Sequence, residues 1–104
     1  MHICLHRQVT DHRVSIAAEL FKALSSPARL RVLVALIEAP CDVSSLAAQT
    51  ELSQPLVSQH LRTLRLAGLV EVERIGRNAV YSFRDEHVAH IVSDALTHVG
   101  EAAA

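Results

Sequence analysis

Six residues near the end of the chain have the side chains and spacing for metal coordination. The segment from Asp85 reads DEHVAHIVSDALTHVGE, and His87, His90, Asp94, His98 and Glu101 follow one another at intervals of 3, 4, 4 and 3. That is the period of one helix face, so five nitrogen or oxygen donors run down one side of one element. His87 and His98 share the face yet lie ~16 Å apart along the axis at about 1.5 Å per residue. Zinc ligands sit about 2 Å from the ion, so one helix cannot close such a site. Two copies lying antiparallel across a two-fold axis can. The Asp85 and His87 end of one chain then meets the His98 and Glu101 end of the other, and symmetry makes two identical sites. Within a helix, i and i+2 point nearly opposite ways, so Asp85 joins His87 only from a non-helical capping position, where its residue type places it. Two carboxylates and two imidazoles form a tetrahedral set suited to Zn2+, with Co2+ as a substitute. Asp94 with His98 is a competing pair, but two ligands alone do not hold zinc. The plain alternative is a solvated stripe that merely tolerates histidine.

A second group of residues has the chemistry of base reading. Between Ser53 and Ala67 the apolar positions Val57, Leu61 and Leu64, with Leu56 beside them, mark the inward side of a helix. The other side shows Gln54, Ser58, Gln59, Arg62 and Arg65, next to Ser53 at the cap. Amides and guanidinium groups bond base edges bidentately, and serine adapts to either partner. An ordinary solvated helix favours Glu and Lys, and this face has neither. Farther on, Arg74, Arg77 and Asn78 sit where a hairpin tip would present them to phosphate or to the minor groove.

The elements that must hold these groups follow from periodicity and punctuation. The spacing predicts a mobile arm over residues 1–10 and a helix from Val14 to Leu24 with Ile16, Ala17, Leu20, Phe21 and Leu24 on one face. Ser26 caps and Pro27 opens a second helix to Ile37, with Leu30, Leu33, Val34 and Ile37 inward. Asp42 caps a short helix Val43–Gln49, buried through Val43, Leu46 and Ala47, and Thr50-Glu51-Leu52 is a tight turn. Ser53 caps the base-reading helix Gln54–Ala67, which Gly68 ends. A short helix, a three-residue turn and a polar-faced helix make a helix-turn-helix. The period then changes to two from Leu69 to Ile75, Gly76-Arg77-Asn78 turns, and Ala79–Phe83 returns as the second strand of a wing. Asp85 caps a last helix, Glu86–Val99, closed by Gly100. The expected fold is mainly α with a β-hairpin wing (α+β), in the order α-α-α-α-β-β-α. One domain spans residues 11–101, and residues 102–104 form a tail.

Composition narrows the function further. Apolar residues make up 50% of the 104 and aromatic ones 3%, so the core is aliphatic and suits packed helices. A core this small is naturally supplemented by a dimer interface. The net charge is −1, unevenly placed: Ser53 to Arg84 has five arginines and two glutamates, while the remainder holds five basic and nine acidic residues. A basic zone on an acidic protein holds phosphates without general stickiness. Cys4 and Cys41 make no disulfide framework, and no signal peptide or membrane-length apolar run is present, so a reduced cytoplasmic setting is the default. No nucleophile–base pair stands out, which argues against an enzyme.

The residues resemble a known family over about Ile16 to Glu101. FKALSSPARLRVLVAL at 21–36, LSQPLVSQHLRTLRLAGLVEVERIGRNAVY at 52–81, and the pattern Asp85, His87, His98, Glu101 are similar to the ArsR/SmtB metal-sensing repressors. The wording SQPLVSQHL at 53–61 is closest to an actinobacterial zinc-responsive branch. The resemblance implies a homodimer built on the first and last helices, whose apo form binds double-stranded operator DNA at an imperfect inverted repeat. It also implies that metal weakens DNA binding. Relatives that respond to Ni2+ or Co2+ often place a final histidine where Glu101 stands and add N-terminal ligands. Glu101 therefore favours zinc, while His2, His6 and His90 leave nickel open. Two departures matter. Relatives with a thiolate-rich second site carry Cys-x-Cys where Asp42, Val43 and Ser44 stand, so that site is not expected. His2, Cys4 and His6 with Cys41 form a candidate secondary metal site; the plainer reading makes Cys41 a small half-buried hydrophobe. Some relatives have Ser-His-Gln in the base-reading helix where this chain has Ser58-Gln59-His60, so their residue-level relay does not carry over.

Overall fold

The computed structural model describes residues 10–103; the segment before Thr10, with His2, Cys4 and His6, lies outside the described residues, as does Ala104. Five helices and one hairpin follow in the expected order: α1 (Asp11–Leu24), α2 (Pro27–Glu38), α3 (Val43–Thr50), α4 (Gln54–Leu66), β1 (Val70–Ile75), β2 (Asn78–Phe83) and α5 (Glu86–Ala103).

The helices begin where side chains can satisfy the free amides of a first turn. Ser26 accepts from the Arg29 amide, Asp42 from Ser45, Ser53 from Leu56 and Asp85 from Val88, at 2.9 to 3.3 Å. The same device moves the start of α1. Thr10 caps it by accepting from the Arg13 amide, with Asp11 in the first turn. The helix therefore begins three residues before Val14, because its first turn is polar and shows no apolar period. Gly68, at φ +77, ends α4 with both bonds of a Schellman motif: its amide donates to the Arg65 carbonyl and the Leu69 amide to Leu64. Between α3 and α4 the left-handed position falls on Glu51, at φ 60. A side chain there costs about 1 kcal/mol or more.

α2 lies at the centre, packing against α1, α3, α4, α5 and β2. The core joins Val32, Leu33 and Leu36 of α2 to Leu46 of α3, Val57, Leu61 and Leu64 of α4, and Val88 and Val92 of α5. The expected inner face of α2 is corrected here. Leu33 is buried, but Val34 and Ile37 are each 38% exposed, and Val32, Ala35 and Leu36 point inward instead. The helix is apolar nearly all round, so its own period cannot choose a side. Leu56, similarly, lies on the surface.

The face expected on α1 exists but is open: Ile16 is 56% and Phe21 58% exposed, and only its C-terminal end, at Ala23 and Leu24, is buried. α1 packs chiefly on α2, and the molecule measures 50 × 35 × 19 Å with a radius of gyration of 15.4 Å. A compact chain of this length would have about 13 Å.

β1 and β2 pair antiparallel from Val70↔Phe83 to Ile75↔Asn78 around a two-residue loop, Gly76-Arg77. Asn78 thus belongs to the strand rather than the turn, and Gly76, at φ +64, takes the loop position that needs positive φ. A further pairing has no signal in the sequence. The Cys41 amide donates to the Tyr81 carbonyl at 3.0 Å and Tyr81 returns the bond at 2.8 Å, tying the base of the wing to the start of α3.

Gly100 does not end α5. The helix runs on to Ala103, because one glycine costs only about 1 kcal/mol and the residues after it are a glutamate and alanines. Glu101 therefore stays in helical register with His98.

Candidate functional site

Two surfaces carry the predicted chemistry. On the first, Ser53, Gln54, Ser58, Gln59, Arg62 and Arg65 are all exposed along α4. At 100° per residue, Gln59 and Arg62 lie farthest from the buried line of Val57, Leu61 and Leu64, and Gln54, Ser58 and Arg65 form one flank. The wing places Arg74, Arg77 and Asn78, also exposed, at its tip, where the Arg74 guanidinium reaches the Arg77 carbonyl at 3.4 Å.

The other flank of α4 is wired to the body. His60 is half-buried, and burial first and the Arg29 charge second hold its pKa below the ordinary value of 6.5. Arg29 itself donates from Nε to the Ala23 carbonyl at 2.7 Å, closing the end of α1 against α2. Periodicity could not have found this arrangement, since it depends on three elements.

The sign of the resulting pH dependence is fixed. A histidine whose folded pKa is depressed binds fewer protons folded than unfolded. Its effect on stability is nil above pH 6.5 and becomes a loss as pH falls below that value, until the folded pKa is passed. His60→Gln is therefore expected to lose less Tm than the parent between about pH 7.5 and about pH 5.5. Equal losses in thermal unfolding would remove His60 as the cause.

The second surface is α5. Val88 and Val92 are buried against the body, whereas His87, His90, Asp94, His98 and Glu101 are all exposed. At 100° per residue this stripe points roughly 140° away from the packed side. Asp85 is the cap, as expected: one carboxylate oxygen accepts from the Val88 amide at 3.1 Å, which leaves the other oxygen for a second partner. No three His, Cys, Asp or Glu side chains converge on a metal position among the described residues of one chain. The ~16 Å between His87 and His98 accounts for this. The donor set suits a divalent cation, but one chain does not bring it together. Beyond the stripe, Leu96 is 45% and Val99 61% exposed, continuing the apolar side of α5 past the body.

Cys41 is half-buried, its thiol 3.2 Å from the Ala39 carbonyl and 3.6 Å from the Gln49 amide nitrogen. The rest of the candidate secondary site lies outside the described residues. An open groove of about 800 Å³ runs beside Leu30, Val34, Thr50, Glu51 and Leu96. Among the described residues no helix is long and apolar enough to cross a membrane.

A short capped helix, a left-handed turn, a polar-faced second helix and a following hairpin define a winged helix-turn-helix protein. The solution structure of the homodimeric winged helix-turn-helix DNA-binding domain of Mb0332 from Mycobacterium bovis, described as a possible ArsR-family transcriptional regulator, superposes with a TM-score of 0.84. It is 26% identical, over 92% of each chain. Residues 26–72 match the model of the arsR family of bacterial regulatory proteins. The HTH-type transcriptional repressor SmtB of Mycobacterium tuberculosis is 46% identical over 82% of this chain, which spans 63% of that protein. The transcriptional repressor SmtB homolog of Synechocystis is 38% identical over 97% of this chain and 80% of its own length. The chain belongs to the arsR family.

Proposed function

We propose that this protein is a metal-responsive transcriptional repressor. Its apo homodimer binds an inverted-repeat operator, and zinc, held between the two α5 helices, releases the DNA. In this reading α4 enters the major groove with Gln59 and Arg62 foremost, flanked by Gln54, Ser58 and Arg65, while Ser53, Arg74, Arg77 and Asn78 hold the backbone. The open apolar positions Ile16 and Phe21 of α1 and Leu96 and Val99 of α5 supply the dimer contact. The observation that carries the metal reading is the α5 stripe: exposed, facing away from its own body, with matched donor pairs at ends too distant to meet within one chain. Asp85 and His87 of one chain, with His98 and Glu101 of the partner subunit, would hold the ion. Once bound, the ion supplies a cross-link between subunits.

The chain's own packing offers the route from that stripe to the DNA helix. Val88 and Val92 seat α5 on α2, and α2 in turn supports α4. A change in how α5 meets its partner therefore reaches α4 through one shared, close-packed helix. Release also requires that the metal bind the DNA-free dimer more tightly than the complex, a coupling of typically ~1–3 kcal/mol, or about 5–150-fold.

The test uses a duplex selected from random sequence for binding, labelled for fluorescence anisotropy. Added zinc is expected to weaken the wild-type complex by about 5–150-fold. His98→Ala is expected to bind the duplex as the wild type does without metal and to ignore zinc. Release of that variant by zinc would overturn the site, and release of the wild type by nickel but not zinc would replace the metal.

A further inference from the structure

His90 and Asp94 belong to the α5 stripe but take no part in the two end sites. They are one turn apart, both exposed, and neither side chain makes a hydrogen bond or ion pair with another described residue. At 100° per residue they fall inside the same ~80° arc as His87, His98 and Glu101, so whatever faces those residues faces these as well.

The antiparallel pairing proposed above, on which this inference rests, also fixes the register of the two α5 helices. If Asp85 and His87 meet the partner's His98 and Glu101, the two-fold axis crosses α5 close to Val92 and Ser93. Asp94 then lies ~2 Å to one side of that point along the helix and His90 ~4 Å to the other, at 1.5 Å per residue. The two Asp94 carboxylates are thus offset by only ~4 Å along the pair, and each His90 is level with the partner's Asp94 to within ~2 Å. Helix axes in contact are 8–10 Å apart, a gap that histidine and aspartate side chains reach into from both sides. Two like carboxylates brought together there repel unless a cation lies between them.

From this juxtaposition we propose a third metal site on the two-fold axis, in which His90 and Asp94 of both subunits hold one divalent ion of the zinc class per dimer. Two imidazole nitrogens and two carboxylate oxygens match the tetrahedral preference of zinc. Its distance from each end site is ~10 Å along the helices, so the three ions form a row down the α5 seam. A central ion would fasten the middle of the seam, where the end sites have no ligand.

Counting metal on the full-length dimer tests this. Protein loaded with zinc and exchanged into a weakly chelating buffer is expected to hold three zinc ions per dimer by native mass spectrometry. His90→Ala, Asp94→Asn and the double variant are each expected to hold two, and His98→Ala one. All three positions are solvent-exposed, and a far-ultraviolet spectrum and dimer mass like those of the wild type confirm that each variant is folded. A wild-type dimer that holds two ions, both lost in His98→Ala, would overturn the central site and leave the end sites standing. A third ion that persists in the double variant would place it elsewhere on the chain and overturn the proposal. A dimer that holds no zinc would overturn both readings.

Discussion

Arg62→Ala is expected to weaken operator binding by roughly 30-fold to 10⁴-fold. Arg62 stands on the side of α4 turned away from Val57, Leu61 and Leu64, and it is exposed. Its guanidinium makes no hydrogen bond to another described residue, whereas that of Arg29 is bound to the Ala23 carbonyl. A guanidinium left uncommitted on a recognition helix is suited to bond a guanine edge bidentately, which is worth about 1–3 kcal/mol per contact. A dimer makes that contact once per half-site, so two are lost together, about 2–6 kcal/mol, at about 1.4 kcal/mol per tenfold. Anisotropy titrations against the selected operator and a scrambled duplex at one salt concentration provide the check. The loss should be much larger for the operator, because the scrambled duplex is held mainly through phosphates. Operator binding within twofold of the wild type would remove Arg62 from the readout.

The second large effect concerns the scaffold behind that surface. Leu61→Ala is expected to destabilise the protein by about 2–5 kcal/mol, the usual cost of removing a buried leucine and leaving a cavity. Leu61 is fully buried in the core that α4 shares with α2, α3 and α5. Against a total of about 5–15 kcal/mol the loss is a large fraction. Leu66→Ala, five residues along the same helix, provides the contrast. Leu66 is 81% exposed, and its truncation is expected to stay within about 0.5 kcal/mol. Urea unfolding of both variants without metal, at one fixed protein concentration, separates them. Equal midpoints would show that α4 is not seated as described.

The two effects are separable because they occupy opposite sides of one helix. Truncating Arg62 leaves the core untouched, so its unfolding midpoint should match the wild type. Truncating Leu61 lowers stability and takes affinity with it only where unfolding becomes populated. Together the variants show how a short helix, stable only through its packed face, can present an uncommitted polar face to a ligand.

What could be read from the residues in order was most of what is decided within a turn or two of chain. Ser26 and Ser53 before their helices, Asp42 and Asp85 at their caps, Gly68 after α4 and Gly76 in the hairpin each act on partners a few residues away, so their chemistry is visible in the sequence; the Thr10 cap and the run of α5 through Gly100 were not. The α5 stripe is legible for the same reason: its spacing is a property of one helix. That one helix cannot bring both its ends to a single ion follows from its length.

Tertiary structure decided what depends on neighbours distant in sequence. It chose Val32, Ala35 and Leu36 over Val34 and Ile37 as the inner side of an almost uniformly apolar α2. It left Ile16 and Phe21 uncovered on α1, paired Cys41 with Tyr81, and brought half-buried His60 within range of the Arg29 charge. The physical reason is one of range. Hydrogen-bonding groups at helix ends and turns are satisfied locally, whereas hydrophobic burial has no direction of its own and is settled only when all the elements meet.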